Sequence, residues 1–406
     1  MKRFFYQIHS GNLRLPLINS FIFIICILIT LLLNSCFGWG IFTPRDDKPS
    51  SGIITNWSVR DNQLSIVTKD STYVQLSYAN WTNPNDTFQG WTAGEAVVYH
   101  TYFLPVDFEI ATRYEMKLSV YTKNDTSIYQ DTTFIFTSTS TSFSHLKVHF
   151  LNVQQGDAIL IQSPEGKNMM IDGGYGRRGT RDWQGGGVPI ALNYLIEKNV
   201  SHLDYIVESH RHLDHWGGLD DIENSDYITI GQYISNSQTH GYERGSRLTL
   251  GSDVRIDFFN IGFPPNYSGG NINNTSIVLK ATHGDVGFLF TGDIHGEVQT
   301  NMYNEGFDLS VNVLKVPHHG ASSNDSSDVR FLSETLGDKF AQVAILSFGQ
   351  NNTYNHPRDL QRFREFNTYG TNEARDKHTG GAKYSDDCGH IIVYSDGKMV
   401  FVWTEK

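Results

Sequence analysis

An α/β layered domain preceded by a small all-β domain is the architecture this 406-residue sequence predicts. From residue 53 to about 138, short alternating runs such as "YEMKLSVYT" and "TTFIFTS" are broken by Asn-Asp, Asn-Pro and Gly turns. Period two with turn residues at that spacing describes strands of a sandwich-like β-domain. From 145 to 406, strand-like runs instead alternate with loops and helical spacing, and the polar side chains cluster where strands end. Strand–loop–helix units of that kind build two sheets covered by helices. A third pattern, an apolar run near the N-terminus, sets the address.

That run comes first in the chain. Lys2, Arg3 and Arg14 precede "FIFIICILITLLL" (Phe21 to Leu33), and small residues follow it. A basic region, a short apolar region and small residues describe a secretory signal. "LLNSC" resembles a bacterial lipobox in which Cys36 is lipidated and begins the mature protein; Asn34 departs from the usual small residue. The rival reading is an uncleaved anchor, because apolar residues continue through "CFGWGIF" and reach the length of a span. Both readings keep the basic flank inside and put the rest outside the cytoplasm, attached to the membrane. Residues 1–36 are thus signal or anchor, and 37–52, containing "TPRDDKPSSG", are a polar tether. With Cys26 in the signal and Cys36 at the lipid site, Cys388 stands alone, which excludes a disulfide framework in the mature chain.

The β-domain (53–138) carries no chemical motif. Trp57, Trp81 and Trp91 suit a sugar platform or ordinary packing, and packing is the expectation. "TSTSTSF" (Thr137 to Phe143) reads as a linker. A net charge of -11 excludes non-specific attraction of nucleic acid by the surface as a whole, so an enzyme of nucleic acids would need local positive charge or bound metal.

In the α/β domain (145–406), "KVHFLNV", "AILIQS" and "NMMIDGG" read as strands and "PIALNYLIEKN" as a helix. "LDYIV" is a strand running into "SHRHLDHWGG" (Ser209 to Gly218), and "SIVLKAT" and "GFLFTG" form a hairpin around "HGDVG". Three histidines and an aspartate in six positions suit a divalent metal, because neutral imidazole and carboxylate are the ligands zinc and manganese accept. His210 and His212, two apart after a strand, face one side. Asp214 and His215 follow where a helix should begin, so one loop supplies two half-sites.

His-x-His-x-Asp-His followed by Gly-Gly resembles the signature of the metallo-β-lactamase-fold superfamily. The flanking motifs are similar to its branch containing the extracytoplasmic domain of ComEC, the DNA-uptake channel protein. "NVQQGDAILIQ" resembles that branch's opening motif, with Asn152 and Gln154 as departures, and "MMIDGG", "LFTGDI", "LKVPHHGAS", "YNHP" and the hairpin "GHIIVYSDGK" follow in its order. The resemblance covers about residues 146–400 and implies an αββα sandwich. It implies that Asp172 orients a ligand histidine, that Asp293 bridges two metals, and that His318 or His319 completes the second site. It leaves open which of that pair ligates and whether one or two ions, zinc or manganese, bind. The superfamily's further histidine before the "TGD" aspartate has no equivalent here. His283 lies at the wrong end of its hairpin, roughly 20 Å away by strand rise. Asn274 or Ser276, at the metal end, are expected to line the site, with His240 a weaker candidate.

Hydrolysis by metal-activated water follows from such a cluster, with Asp214 also able to accept the water's proton. A phosphodiester, DNA among the options, is the substrate class the resemblance implies. Arg177, Arg178 and Arg181 in "GRRGTRDW" are candidates to hold phosphate, as against a solvated loop. His356 beside Arg358 is a candidate phosphate contact or leaving-group acid, as against a loop histidine. Hydrolysis of another ester (lactone, thioester or phosphorylcholine ester) and a non-catalytic surface binding protein are the competing functions. No protein partner is legible.

Overall fold

A computed structural model of the chain describes residues 54–60, 63–80, 87–93, 96–103, 113–122, 125–137, 145–262, 271–321, 326–337, 339, 341–375, 381 and 383–405. Cys36, the signal and the tether lie outside them, as do Trp81, the side chain of Trp57 and linker residues 138–144. Among the described residues no helix is long and apolar enough to cross a membrane.

The first six strands are β1 (Ile54–Arg60), β2 (Gln63–Asn80), β3 (Thr87–Thr92), β4 (Val97–Phe103), β5 (Arg113–Thr122) and β6 (Asp125–Thr137). The first half of β2 pairs with β1 and β4, and its second half with β3 and β5. Leu64, Ile66, Val74 and Leu76 are buried in β2, the alternation expected of a half-covered strand. Trp91 is buried in the core with the strands that follow, so this tryptophan packs.

Two sheets form the rest. The first contains β7 (Leu146–Phe150), β8 (Ile159–Gln162), β9 (Asn168–Ile171), β10 (His202–Val207) and β11 (Thr229–Ile234), with helices α1 (Ile190–Glu197) and α2 (Leu213–Glu223) between strands. The second contains β12 (Arg247–Leu250), β13 (Val254–Asn260), β14 (Val278–His283), β15 (Val286–Phe290), β16 (Val313–Lys315), β17 (Val343–Leu346), β18 (Asn367–Gly370) and β19 (Tyr384–Ser385). Helices α3 (Gly296–Asn304) and α4 (Ser326–Leu336) belong to it. The hairpin β20 (His390–Ser395) and β21 (Met399–Glu405) returns to the first sheet beside β7. There β21 also pairs with β3, so the N-terminal strands continue the same sheet.

Packing follows from which face each side chain takes. Val148, Phe150, Ile171 and Val207 of the first sheet meet Phe258, Leu279, Phe288, Phe290 and Ile345 of the second in one core. Leu289, between Phe288 and Phe290, points the other way and packs with Val298, Met302, Phe331 and Leu336 of α3 and α4. Leu195, Leu219 and Ile222 of α1 and α2 cover Leu160 and Met170 on the outer face of the first sheet. The layers are therefore helix, sheet, sheet, helix. Each phenylalanine so buried contributes roughly 1.5–3 kcal/mol.

The strand directions position the site. β9, β10 and β11 run parallel in one sheet, and β15 to β18 run parallel in the other. Parallel strands put their carboxyl ends on one side, where open α/β sheets place their ligands. A hydrogen bond from the Ile277 nitrogen to the Ser209 carbonyl, 2.8 Å, joins the sheets at that end.

Candidate metal centre

Five strand ends supply the site. Asp172 follows β9, Ser209 and His210 follow β10, Asp293 follows β15, His318 and His319 follow β16, and Ser347 follows β17. His212 is the N-cap residue of α2 and Asp214 lies in its first turn, where exposed N–H groups favour a carboxylate. The two "GG" motifs bring α2 against the Asp172 loop. A Cβ on Gly218 would sit 1.9 Å from the Gly173 carbonyl oxygen, and one on Gly173 would sit 2.5 Å from the Leu219 nitrogen. Only glycine permits that approach.

Asp172 organises the inner wall. Its carboxylate accepts hydrogen bonds from the Ser209 nitrogen (2.7 Å) and hydroxyl (2.6 Å), and lies 2.7 Å from His215 Nδ1. That contact turns His215 Nε2 toward Asp293 Oδ2, 3.2 Å away. His319 is set the same way: Nδ1 lies 2.9 Å from the Ser347 carbonyl, and Nε2 lies 3.5 Å from both Asp214 Oδ2 and Asp293 Oδ1. His210 Nδ1 lies 3.2 Å from Ser276 Oγ, while its Nε2 lies 3.0 Å from His212 Nδ1 and 3.8 Å from Asp293 Oδ2. Two imidazole nitrogens that close must share a proton or a cation.

The orphaned atoms test whether a metal fits. Among the described residues, His215 Nε2, His319 Nε2 and Asp293 Oδ1 are buried and find no hydrogen-bond partner, a costly state for polar atoms. Ligand atoms of His210, His215 and Asp293 lie within 4.8 Å of one another, and so do those of Asp214, His215 and His319. Imidazole nitrogens and carboxylate oxygens converging from fixed rings are the donors a divalent ion takes. The residues fit such an ion.

Charge is distributed accordingly. Burial pulls His215 and His319 toward neutrality, but Asp293, with Asp172 beside one and Asp157 beside the other, holds both well above the usual imidazole range. Asp293 is held well below the carboxylate range, because His319 and His215 outweigh its burial. His210, with burial and His215 acting together, is kept well below the usual imidazole value.

Residues 151–334, which carry most of these groups, match the sequence profile described as the metallo-beta-lactamase superfamily. The chain carries a metallo-beta-lactamase superfamily domain. Members of this superfamily are as a rule metal-dependent hydrolases. The chain is similar to ComE operon protein 3 of Bacillus subtilis (strain 168), at 24% identity over 52% of this chain and 29% of that protein. It is also similar to the uncharacterized protein YcaI of Escherichia coli (strain K12), at 27% identity over 54% of this chain and 27% of that one. The chain thus spans less than a third of the length of these curated relatives. A solved Cronobacter sakazakii metallo-beta-lactamase with an HARLDQ motif aligns at TM-score 0.27 and 13% identity, over 41% of this chain and 76% of that one.

Within the metallo-beta-lactamase domain the adjacent histidines separate. His319 is 1% exposed and turned into the cluster, whereas His318 has a side chain 24% exposed and lies at the rim, its Nε2 3.8 Å from Asp293 Oδ2. The ring of His356 is 5.2 Å from that of His318. Burial, with His319 and His318 nearby, pushes His356 down to about 3, so it is neutral near pH 7 and better suited to hydrogen bonding than to giving a proton.

One lining residue changes. Asn274 Oδ1 accepts the backbone N–H of His295 at 3.0 Å and so secures the loop instead of lining the site. Its neighbour Asn273 places its amide nitrogen 3.1 Å from His295 Nε2 and 3.4 Å from His318 Nε2. The short 3-10 turn Ile272–Thr275 rotates successive side chains by about a third of a turn, which no sequence spacing discloses. Ser276 does reach the site, through His210.

Other expected residues lie elsewhere. Arg177 and Arg178 turn to Asp221 (3.5 Å) and Asp220 (2.8 Å) on α2, and Arg181 stands over Trp183. The first two guanidinium charges are thus already answered. His283 sits 3.1 Å from Ser395 at the far end of the hairpin, and exposed His240 bonds the Tyr233 carbonyl. Cys388 is buried in the core. Sequence reasoning missed Asp157, Lys315 and His295. Asp157 is buried 3.5 Å from His319 Nδ1 and 2.9 Å from the fully buried Lys315 ammonium. Its place in "QQGD" was the available signal.

Proposed function

We propose that the chain is a hydrolase of phosphodiesters that uses one or two divalent metal ions, working outside the cytoplasm while attached to the membrane. The observation that carries it is the convergence of His215 Nε2, His319 Nε2 and Asp293 Oδ1, buried and without a hydrogen-bond partner among the described residues. Imidazole and carboxylate donors suit zinc first and manganese second. The ComEC-like order of motifs supports the phosphodiester and makes DNA the substrate to test.

His210, His212, Asp214, His215, Asp293 and His319 would hold the metal. A bound ion would supply Lewis acidity, lowering the pKa of water and polarising the phosphorus–oxygen bond. The chain's own groups do the rest. Asp172 and the Ser347 carbonyl fix the rings of His215 and His319. Asp214, with a side chain 15% exposed, is the most exposed carboxylate of the cluster, and His319 and His215 outweigh its burial and hold it well below the usual carboxylate range, which suits holding a cation. His318, His356 and Asn273 border the place where a diester would lie.

The test is cleavage of end-labelled single- and double-stranded DNA by the purified full chain, with zinc or manganese, beside Asp214→Ala. Metal-dependent cutting that the variant lacks is the expected result. Intact DNA from protein shown to hold metal would sink the nuclease reading and move the search to smaller diesters and other esters. Membrane attachment has its own test: labelled fatty acid should enter the chain and should not enter Cys36→Ser. Equal labelling of the two would rule out the lipoprotein reading.

A further inference from the structure

Beside the ligand cluster lies a cleft of about 240 Å³. His318 and His356 line it, and His318 links it to Asp293 at 3.8 Å. Its wall is apolar: Val316, Phe331 and Leu332 line it and are each less than 5% exposed. Among the described residues that line it, the charged ones are Arg358 and Arg362. Arg362 donates to the carbonyls of Gly320 (2.8 Å) and Ala321 (3.0 Å), bracing the chain next to His319. Arg358 is exposed and donates to the Tyr354 carbonyl, 2.8 Å away, while its guanidinium carries five N–H donors.

The scissile phosphate would lie at the cluster, where a bound divalent ion, with the Lys315 ammonium 2.9 Å from Asp157, would offset the carboxylates of Asp157, Asp172, Asp214 and Asp293. The cleft beside it carries two guanidinium groups, so the rest of an anionic substrate gains by lying there. Its volume is below the roughly 300–1,000 Å³ of pockets that enclose a drug-sized ligand, so it takes one ring-sized unit of a longer molecule. A flat apolar ring flanked by phosphates is a nucleoside unit.

We infer that this cleft seats one nucleoside of the phosphodiester substrate, its base against Val316, Phe331 and Leu332 and its outer phosphate at Arg358. The inference rests on the phosphodiesterase reading and names the substrate class of that same site.

The assay is hydrolysis of methyl p-nitrophenyl phosphate by the metal-loaded full chain. It is inhibited in turn by methyl phosphate, phenyl phosphate, thymidine 5′-phosphate and thymidine 3′,5′-bisphosphate. Thymidine 5′-phosphate should bind about tenfold tighter than the methyl or phenyl esters, the scale of one base-stacking contact, and the bisphosphate tighter again. Leu332→Trp, which fills the cleft, should erase the gain from the nucleoside. Arg358→Ala, at an exposed position, should erase only the gain from the second phosphate. Thymidine phosphate binding no tighter than methyl phosphate overturns the inference while leaving the phosphodiesterase reading intact. Phenyl phosphate binding as well as the nucleotide overturns it too, because the cleft would then be a general apolar pocket. No hydrolysis of the methyl ester and none of DNA by metal-loaded protein removes the phosphodiesterase reading, and this inference with it.

Discussion

His318 and His319 are neighbours in sequence, yet the fold gives them opposite surroundings. Both adopt left-handed backbone, with φ of 49° and 55°, a conformation that costs non-glycine residues on the order of 1 kcal/mol or more each. Asp172 shares it at φ 56°. The separation of the two rings has a consequence for metal content. His319→Ala should lower metal affinity by about a hundredfold or more, while His318→Ala should hold metal nearly as well as the parent and lose turnover. Metal analysis after dialysis decides it, and equal loss in both variants would refute the assignment. Protons give a second check. Without metal, His215 and His319 are held well above the usual imidazole value by Asp293 and their own carboxylate neighbours, which favours their protonated forms. A metal ligand must be neutral, so binding should release about two protons and affinity should climb with pH. Calorimetry at pH 7 in buffers of different ionisation enthalpy measures this. Binding without proton release would show that the two rings are neutral beforehand.

At the scale of elements, the site is a set of strand ends clamped by one helix. α2 carries Asp214 and His215, and it can sit where it does because Gly173 and Gly218 bring backbone against backbone. Gly218→Ala would place a methyl group 1.9 Å from the Gly173 carbonyl oxygen, so α2 must shift. The expected cost is ~1–3 kcal/mol of stability, with a fall in metal affinity because His215 moves with the helix. Thermal unfolding and metal titration of the variant read the two effects. An unchanged midpoint with unchanged metal binding would mean the contact is looser than described. The hairpin β14–β15 acts in the same way by direction alone. It delivers Asp293 at one end and consigns His283 to the other, beside Ser395.

At the scale of the whole molecule, β21 is covered on one edge by β20 and on the other by β3. Trp91 of β3 is buried in the same core as Val400 and Val402 of β21, and the Asn312 amide donates to the Ala93 carbonyl at 3.2 Å. A fragment beginning at His145 would leave β21 as an open edge with unpaired N–H and C=O groups, a template for association. Such a fragment should self-associate in size-exclusion chromatography and melt below the longer chain. A monomeric fragment of equal stability would show that the N-terminal strands are dispensable for the fold. On this view the β-region caps the hydrolase sheet, whatever else it binds.

The sequence by itself determined the layers and the residue types that gather at the strand ends. Alternation of period two fixes which face of each strand is buried, and a metal restricts its ligands to a few residue types. "HRHLDH" therefore marked one part of the cluster, while "IDGG", "TGD" and "PHH" stood out through the resemblance to the superfamily. Tertiary structure alone decided the finer assignments: His319 inward and His318 at the rim, Asn273 at the site instead of Asn274, Arg177 and Arg178 taken by α2, and β3 joined to β21. Each of these depends on which residue faces which across tens or hundreds of positions, or on the rotation of a single turn. Local pattern carries the periodicity of an element and the chemistry of a side chain. It does not carry the register between distant elements, and that register selects the partner of each side chain.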